Sequence, residues 1–285
     1  MKYLLIVLLL VPMLCNAQRK SFKSRKKKIS VAGGTLFLSV GYNRDFYSKS
    51  KLSLAGEGYD FTLQGVKGKD QPAFSFSNIN LSQYNFQVGY NFMNFFSISA
   101  GFDHMKYSIP NQSQLLLSGT INEDVDLVTN LSGSYLNQPF TMDSSTFHYS
   151  NFGLNNIYLK FARTDQWFRV GKNDEFALSS DVGIGFGGLM SSTDFTFAGK
   201  RNLRVASFSG FSAFGAAGVR LEFFRHLYIE PMVIGGFMNQ MSVRTTENQP
   251  NATARQRMGF LQMQVNLGFF MYVRPTNSCD SCPTW

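Results

Sequence analysis

The chain has 285 residues, 44% of them hydrophobic and 15% aromatic, with a formal net charge of +9. Beyond its N-terminus it holds no run of the ~20 continuous apolar residues that a membrane helix needs, which excludes a helical membrane protein. Eight of the 27 Lys and Arg precede Ile29, and the rest of the chain is close to neutral, so a nucleic-acid partner is not expected.

Met1-Lys2-Tyr3 leads into the apolar stretch Leu4–Leu14 and then Cys15-Asn16-Ala17. This reads as a secretory signal peptide over residues 1–17, cleaved before Gln18. Cys15 keeps a lipoprotein alternative open, although Leu14 stands where such sites want a small residue. Residues 18–30 carry Arg19, Lys20, Lys23, Arg25, Lys26, Lys27 and Lys28. They read as a basic periplasmic segment, either solvated or held against anionic headgroups.

From residue 31 to 273 the dominant pattern has a period of two, which is that of strands. Strand-like alternation is expected at Thr35–Phe46, Leu81–Tyr90, Phe95–Tyr107, Tyr149–Ala162, Glu175–Met190, Ala206–Phe223, Leu227–Met241 and Arg257–Val273. The last is the clearest. Leu261, Met263, Val265, Leu267, Phe269, Met271 and Val273 lie on one face, opposite Gln262, Gln264, Asn266, Gly268, Phe270 and Tyr272. Between strands, Asn91–Asn94, Arg163–Asp174 and Phe224–His226 read as shorter turns. Tyr47–Gln71, Ser108–Phe147, Ser191–Val205 and Ser242–Gln256 read as long polar loops, with a short hairpin at Tyr59–Leu63 and Leu115–Leu117 extending the third strand. Short turns on one side and long loops on the other predict an all-β, eight-stranded antiparallel outer-membrane barrel with both termini periplasmic and long loops outside. Residues 274–285 form a periplasmic tail whose Cys279 and Cys282 are expected to pair in an oxidising compartment.

The inward parity carries Asp103, Lys160, Asp181, Arg220, Glu222 and Glu230. Buried charges must be paired, so these are expected to form a polar network filling a narrow barrel. No cofactor and no metal site is expected. His226 reads as a solvated turn residue, and His104 as a headgroup contact near the outer end of a strand.

Tyr59–Leu63, Gln83–Phe86 and Phe102–Tyr107 are similar to outer-membrane barrels of Bacteroidetes-type bacteria that carry no assigned activity. His148-Tyr149-Ser150-Asn151, followed by Gly153-Leu154-Asn155, resembles the lipid A deacylase family of eight-stranded outer-membrane hydrolases. That resemblance covers about eight residues. It implies His148 as general base, Ser150 as nucleophile and Asn151 as an aid to the oxyanion. It also implies an acid about a dozen residues past the serine, where this chain has Lys160, Phe161 and Ala162. Counting back from an outward Ile157 puts His148 and Ser150 inside, whereas that family works at the lipid-facing surface; a bulge would reverse the parity. The leading expectation is therefore a structural or interaction protein whose loops meet lipopolysaccharide or other outer-membrane proteins. The alternative is a lipid A acyl hydrolase using His148 and Ser150. A narrow channel ranks last, because the interior is filled.

Overall fold

The computed structural model describes residues 33–70, 83–129, 131–171 and 175–273. The expected signal peptide, the basic segment, Leu81 and the Cys279–Cys282 pair lie outside the described residues.

Among the described residues there are twelve strands, all antiparallel to their neighbours. They are β1 (Thr35–Tyr47), β2 (Ser50–Gly56), β3 (Tyr59–Val66), β4 (Asn85–Asn91), β5 (Phe96–Ser108), β6 (Gln114–Ile121), β7 (Gly133–Thr141), β8 (His148–Val170), β9 (Phe176–Phe197), β10 (Lys200–Phe223), β11 (Leu227–Arg244) and β12 (Thr253–Tyr272). Eight of them, in the order β1-β4-β5-β8-β9-β10-β11-β12, close into a ring through the β1–β12 pairing. Thr35 pairs with Tyr272, so the described start and end of the chain meet at one rim, here called the inner rim.

The ring is inside-out. On β12, Gln256, Gln262, Gln264 and Asn266 are buried, while Leu261, Met263, Val265, Leu267, Phe269 and Met271 are 38–58% exposed. Val182, Ile184 and Phe186 on β9, and Ile157, Leu159 and Phe161 on β8, continue the same apolar band around the exterior. Closing the sheet pairs its edges, which a wall facing hydrocarbon requires.

Above the band the pattern reverses. β12 runs past β1 and pairs Thr253–Arg257 with Ala55–Lys51 of β2, and β3, β6 and β7 follow in that order. Here Leu52, Leu54, Phe61, Leu63, Leu115, Leu117, Phe147, Phe195 and Phe197 form a buried apolar core. Apolar inside and polar outside is the arrangement of a sheet in water. The outer tier is thus a second, water-type structure built on the strands of the ring.

Several expectations are corrected. The described residues hold four strands more than the eight expected, and they lie in the presumed loops Tyr47–Gln71 and Ser108–Phe147. Leu115–Leu117 belongs to β6 rather than extending the strand before it, and β6 pairs with β3 and β7. The presumed loop Ser191–Val205 is a hairpin, turning at Ala198 and Gly199, both with positive φ (53° and 72°). Much of the presumed turn Arg163–Asp174 is strand, because β8 continues to Val170. In each case the alternation is short and polar-faced, and so resembles a loop in sequence.

Candidate functional site

The interior charges divide into groups. Lys160 Nζ lies 3.1 Å from Asp181 Oδ1, Arg220 Nη2 lies 3.6 Å from Asp181 Oδ2, and Arg220 Nη2 lies 2.9 Å from Glu230 Oε1. The result is a balanced chain of two cations and two anions, all buried. The Arg220 guanidinium also sits over the rings of Tyr228, Phe37 and Phe270, at 4.7, 5.5 and 5.5 Å. Glu222 stands apart and accepts a hydrogen bond from Ser179 Oγ at 2.7 Å. Asp103 is buried too, and its Oδ1 has no hydrogen-bond partner among the described residues. His104 faces outward, with Nδ1 2.6 Å from Asn155 Oδ1 and its ring stacked on Tyr84. His226, at the inner turn, lies with Nδ1 3.4 Å from the Phe270 carbonyl and its ring edge-on to Tyr272.

The outer end of β8 carries a different chemistry. A register shift between Asn151 and Asn155 interrupts the β8–β9 ladder, and another between Met105 and Tyr107 interrupts the β5–β8 ladder. An extra residue in one strand turns the following side chains to the other face. Below the shift, Asn156, Tyr158 and Lys160 are buried inside and Ile157 and Leu159 are exposed. Above it, Tyr149 and Asn151 point in: Tyr149 packs edge-on against Tyr107 and Phe195, and Asn151 pairs with Tyr107. His148 and Ser150 therefore face outward, which corrects the inward parity expected from counting back from Ile157. Their register partners Thr196, Asp194 and Ser108 share that outward face.

Gly153 makes the shift possible. A Cβ there would come within 2.8 Å of the Ser192 Cβ. Asn151 pins the adjoining strand, donating to Ser191 Oγ at 2.8 Å and accepting the Ser192 N–H at 3.1 Å. Its amide is committed to β9 and does not join His148 and Ser150.

On the outward face His148 Nε2 lies 3.0 Å from Ser150 Oγ. Ser150 is buried and His148 partly exposed. Phe152, the next outward side chain, begins the apolar band on β8, so the pair stands just above the band's outer edge. Asp194, opposite Ser150 on β9, accepts the Arg204 backbone N–H at 2.7 Å. Burial pulls the His148 imidazole below its usual value; the Asp194 charge pushes it up and Arg201 pushes it down. An imidazole kept neutral beside a serine hydroxyl is the arrangement that activates the hydroxyl as a nucleophile. At the sequence position where an acid was expected, Lys160 is bound inside to Asp181, Phe161 lies on the apolar exterior and Ala162 is buried. The carboxylate that reaches His148 electrostatically is Asp194, which lies on β9, outside the motif.

No family model matches the chain, and no curated protein matches it. Among solved structures it is similar to Ail, the attachment invasion locus protein of Yersinia pestis, at 11% identity, over 84% of this chain and 100% of that one, with a TM-score of 0.32. It is also similar to the outer membrane protein OprG from Pseudomonas aeruginosa, at 9% identity, over 84% and 97%, with a TM-score of 0.35. Neisserial surface protein A matches at 8% identity, over 82% and 97%, with a TM-score of 0.31. These neighbours are outer-membrane β-barrels of Gram-negative bacteria.

Proposed function

We propose that the chain is an outer-membrane barrel whose outer rim hydrolyses an acyl ester of outer-leaflet lipid. The membrane reading rests on the closed ring, its polar lumen and its apolar exterior band. On that reading the inner rim with both described chain ends is periplasmic, and the outer tier stands outside the cell. The chain of buried ion pairs across the lumen argues against a channel.

The observation that carries the hydrolase reading is the 3.0 Å contact between His148 Nε2 and Ser150 Oγ on the outward face. It sits beside the apolar band, at the level where the ester linkages of lipid meet the headgroups. Ser150 Oγ attacks the acyl carbonyl while His148 Nε2 takes its proton. The tetrahedral intermediate collapses to an acyl-serine, and His148 returns the proton to the departing alcohol. Water, deprotonated by His148, then frees the acid and restores Ser150. Asp194 supports the imidazolium by its charge rather than by contact. The bulge leaves Phe152 and Gly153 out of register, and their backbone N–H groups are the proposed oxyanion donors in place of Asn151. Because Ser150 is buried, the ester reaches it only by displacing the side chains around it. The test is the mass of lipid A in cells that carry the wild-type chain or Ser150→Ala.

A second reading has its own observation. Among the described residues β7 ends the outer sheet as an unpaired edge, and Leu127, Val128 and Leu136 are 83%, 69% and 86% exposed. An open edge with apolar neighbours is a surface for a partner strand. Display of this tier to another outer-membrane protein is compatible with the hydrolase, and deletion of β6–β7 would abolish such an interaction while leaving lipid A unchanged.

A further inference from the structure

On the opposite wall, four strands away from β8, the outer end of β12 carries a second feature. Where β2 leaves the ring, an open pocket of about 930 Å³ is lined by Lys49, Lys51, Arg255 and Arg257, together with Asn239 and Gln64. All four cations are exposed, and no carboxylate lines the pocket among the described residues. Lys51 and Arg257 are direct register partners. Like charges placed directly opposite on neighbouring strands destabilise a sheet, so this pairing calls for an anion between them. Arg257 is already oriented, its Nε donating to Asn239 Oδ1 at 3.0 Å.

Below it, on the same wall, lies an outward, mainly apolar groove of about 580 Å³, lined by Tyr42, Val219, Pro231, Val233, Met263 and Val265, with Arg44 at its β1 side opposite Met263. Arg257 and Met263 are six residues apart on β12, roughly 20 Å along a strand, which is the length of a long acyl chain. The cationic pocket thus stands above the apolar band and the groove lies within it.

We propose that β2, β11 and β12 form a lateral binding site for a phosphorylated outer-leaflet lipid. The phosphate sits between Lys51 and Arg257, Lys49 and Arg255 flank it, and one acyl chain lies in the groove. Arg and Lys bind phosphate through charge-assisted hydrogen bonds, and Arg through a planar fork. This inference rests on the membrane reading of the ring and is independent of the Ser150 chemistry, since the two sites face different walls.

The experiment is native mass spectrometry of the full chain in detergent, titrated with bisphosphorylated lipid A, with the same lipid after dephosphorylation, and with inorganic phosphate as competitor. The expected result is one retained phosphorylated lipid per chain. The pair Lys51→Gln with Arg257→Gln should weaken it at least about tenfold, the dephosphorylated lipid should bind as weakly as that variant does, and excess inorganic phosphate should fail to displace the lipid. Arg163→Gln, at the inner rim, should bind as wild type. Equal binding by the double variant or by the dephosphorylated lipid would overturn the proposal. Complete displacement by inorganic phosphate would show a free-anion pocket and overturn the lipid as occupant. Unboiled gel migration reports the fold separately: loss of the barrel's heat-modifiable shift in the wild type would strike the membrane reading itself. Should the double variant misfold, Arg255→Gln on an exposed side chain carries the same comparison.

Discussion

Ser150 and Asp194 are register partners across β8 and β9, so the nucleophile of the proposed reaction faces a carboxylate supplied by the neighbouring strand. His148, two residues from Ser150 and bonded to it, feels that carboxylate and the Arg201 guanidinium with opposite signs. The site is a cross-strand assembly rather than a linear motif.

That assembly has a definite pH dependence. The base must be neutral, so hydrolysis rises with pH through the pKa of His148 and is lost below it. Burial places that pKa under the ordinary value of about 6.5. Asp194→Asn removes a charge that raises the pKa, so the acid limb of the profile should move to lower pH. Arg201→Gln removes a charge that lowers it, so the limb should move to higher pH. A weaker base should also slow Asp194→Asn, by about tenfold or more. Rate profiles on a chromogenic short-chain ester in detergent would show this. Shifts in the same direction for both variants would refute the electrostatic arrangement.

The bulge is the second point of attack. At Gly153 a Cβ would meet the Ser192 side chain at 2.8 Å, so Gly153→Ala must push β8 and β9 apart or undo the shift. Overpacking of this kind costs about 1–3 kcal/mol. The expected outcome is a folded barrel that has lost hydrolysis, because His148 and Ser150 no longer share the outward face. Heat-modifiable migration and ester turnover, measured on the same preparation, check both halves. Full turnover in Gly153→Ala would show that the bulge does not set the site.

How much of this could be read in the residues follows from the same geometry. The ring was legible because its lipid-type strands alternate over long runs, as Leu261–Met271 does, and because Lys160, Asp181, Arg220 and Glu230 keep the polar parity. The outer tier was not. Its strands are short, Leu52 and Leu54 are the only buried apolar residues of β2, and the Lys, Gly and Asp around them look like loop. The motif at His148 was visible, but its facing was not, since Gly153 is the only mark the bulge leaves. Asp194 was hidden for a different reason. Its role depends on which residue of β9 stands opposite Ser150, and register is set by pairing across strands.

The lumen network makes an independent prediction about stability. Arg220 is the cation that joins Asp181 to Glu230. Arg220→Met leaves Glu230 without its ion-pair partner and weakens the hold on Asp181. Breaking a buried pair from one side costs about 3–5 kcal/mol. Urea unfolding in lipid vesicles, followed by tryptophan fluorescence, should show a loss of that order. Replacing Arg220 and Glu230 together by Met and Leu should recover part of it. A single variant as stable as wild type would mean that the network does not contribute as described.

The most direct test of the hydrolase is the mass of lipid A. Outer membranes from cells expressing the wild-type chain should contain lipid A lighter by one acyl group. Cells expressing Ser150→Ala, with the barrel folded to the same level, should contain the full-length species. Removing a nucleophile costs on the order of 10⁶ in rate, so no intermediate mixture is expected. Identical lipid A masses from the two strains would contradict the reading of Ser150 as a nucleophile and leave the chain a barrel that binds without cleaving.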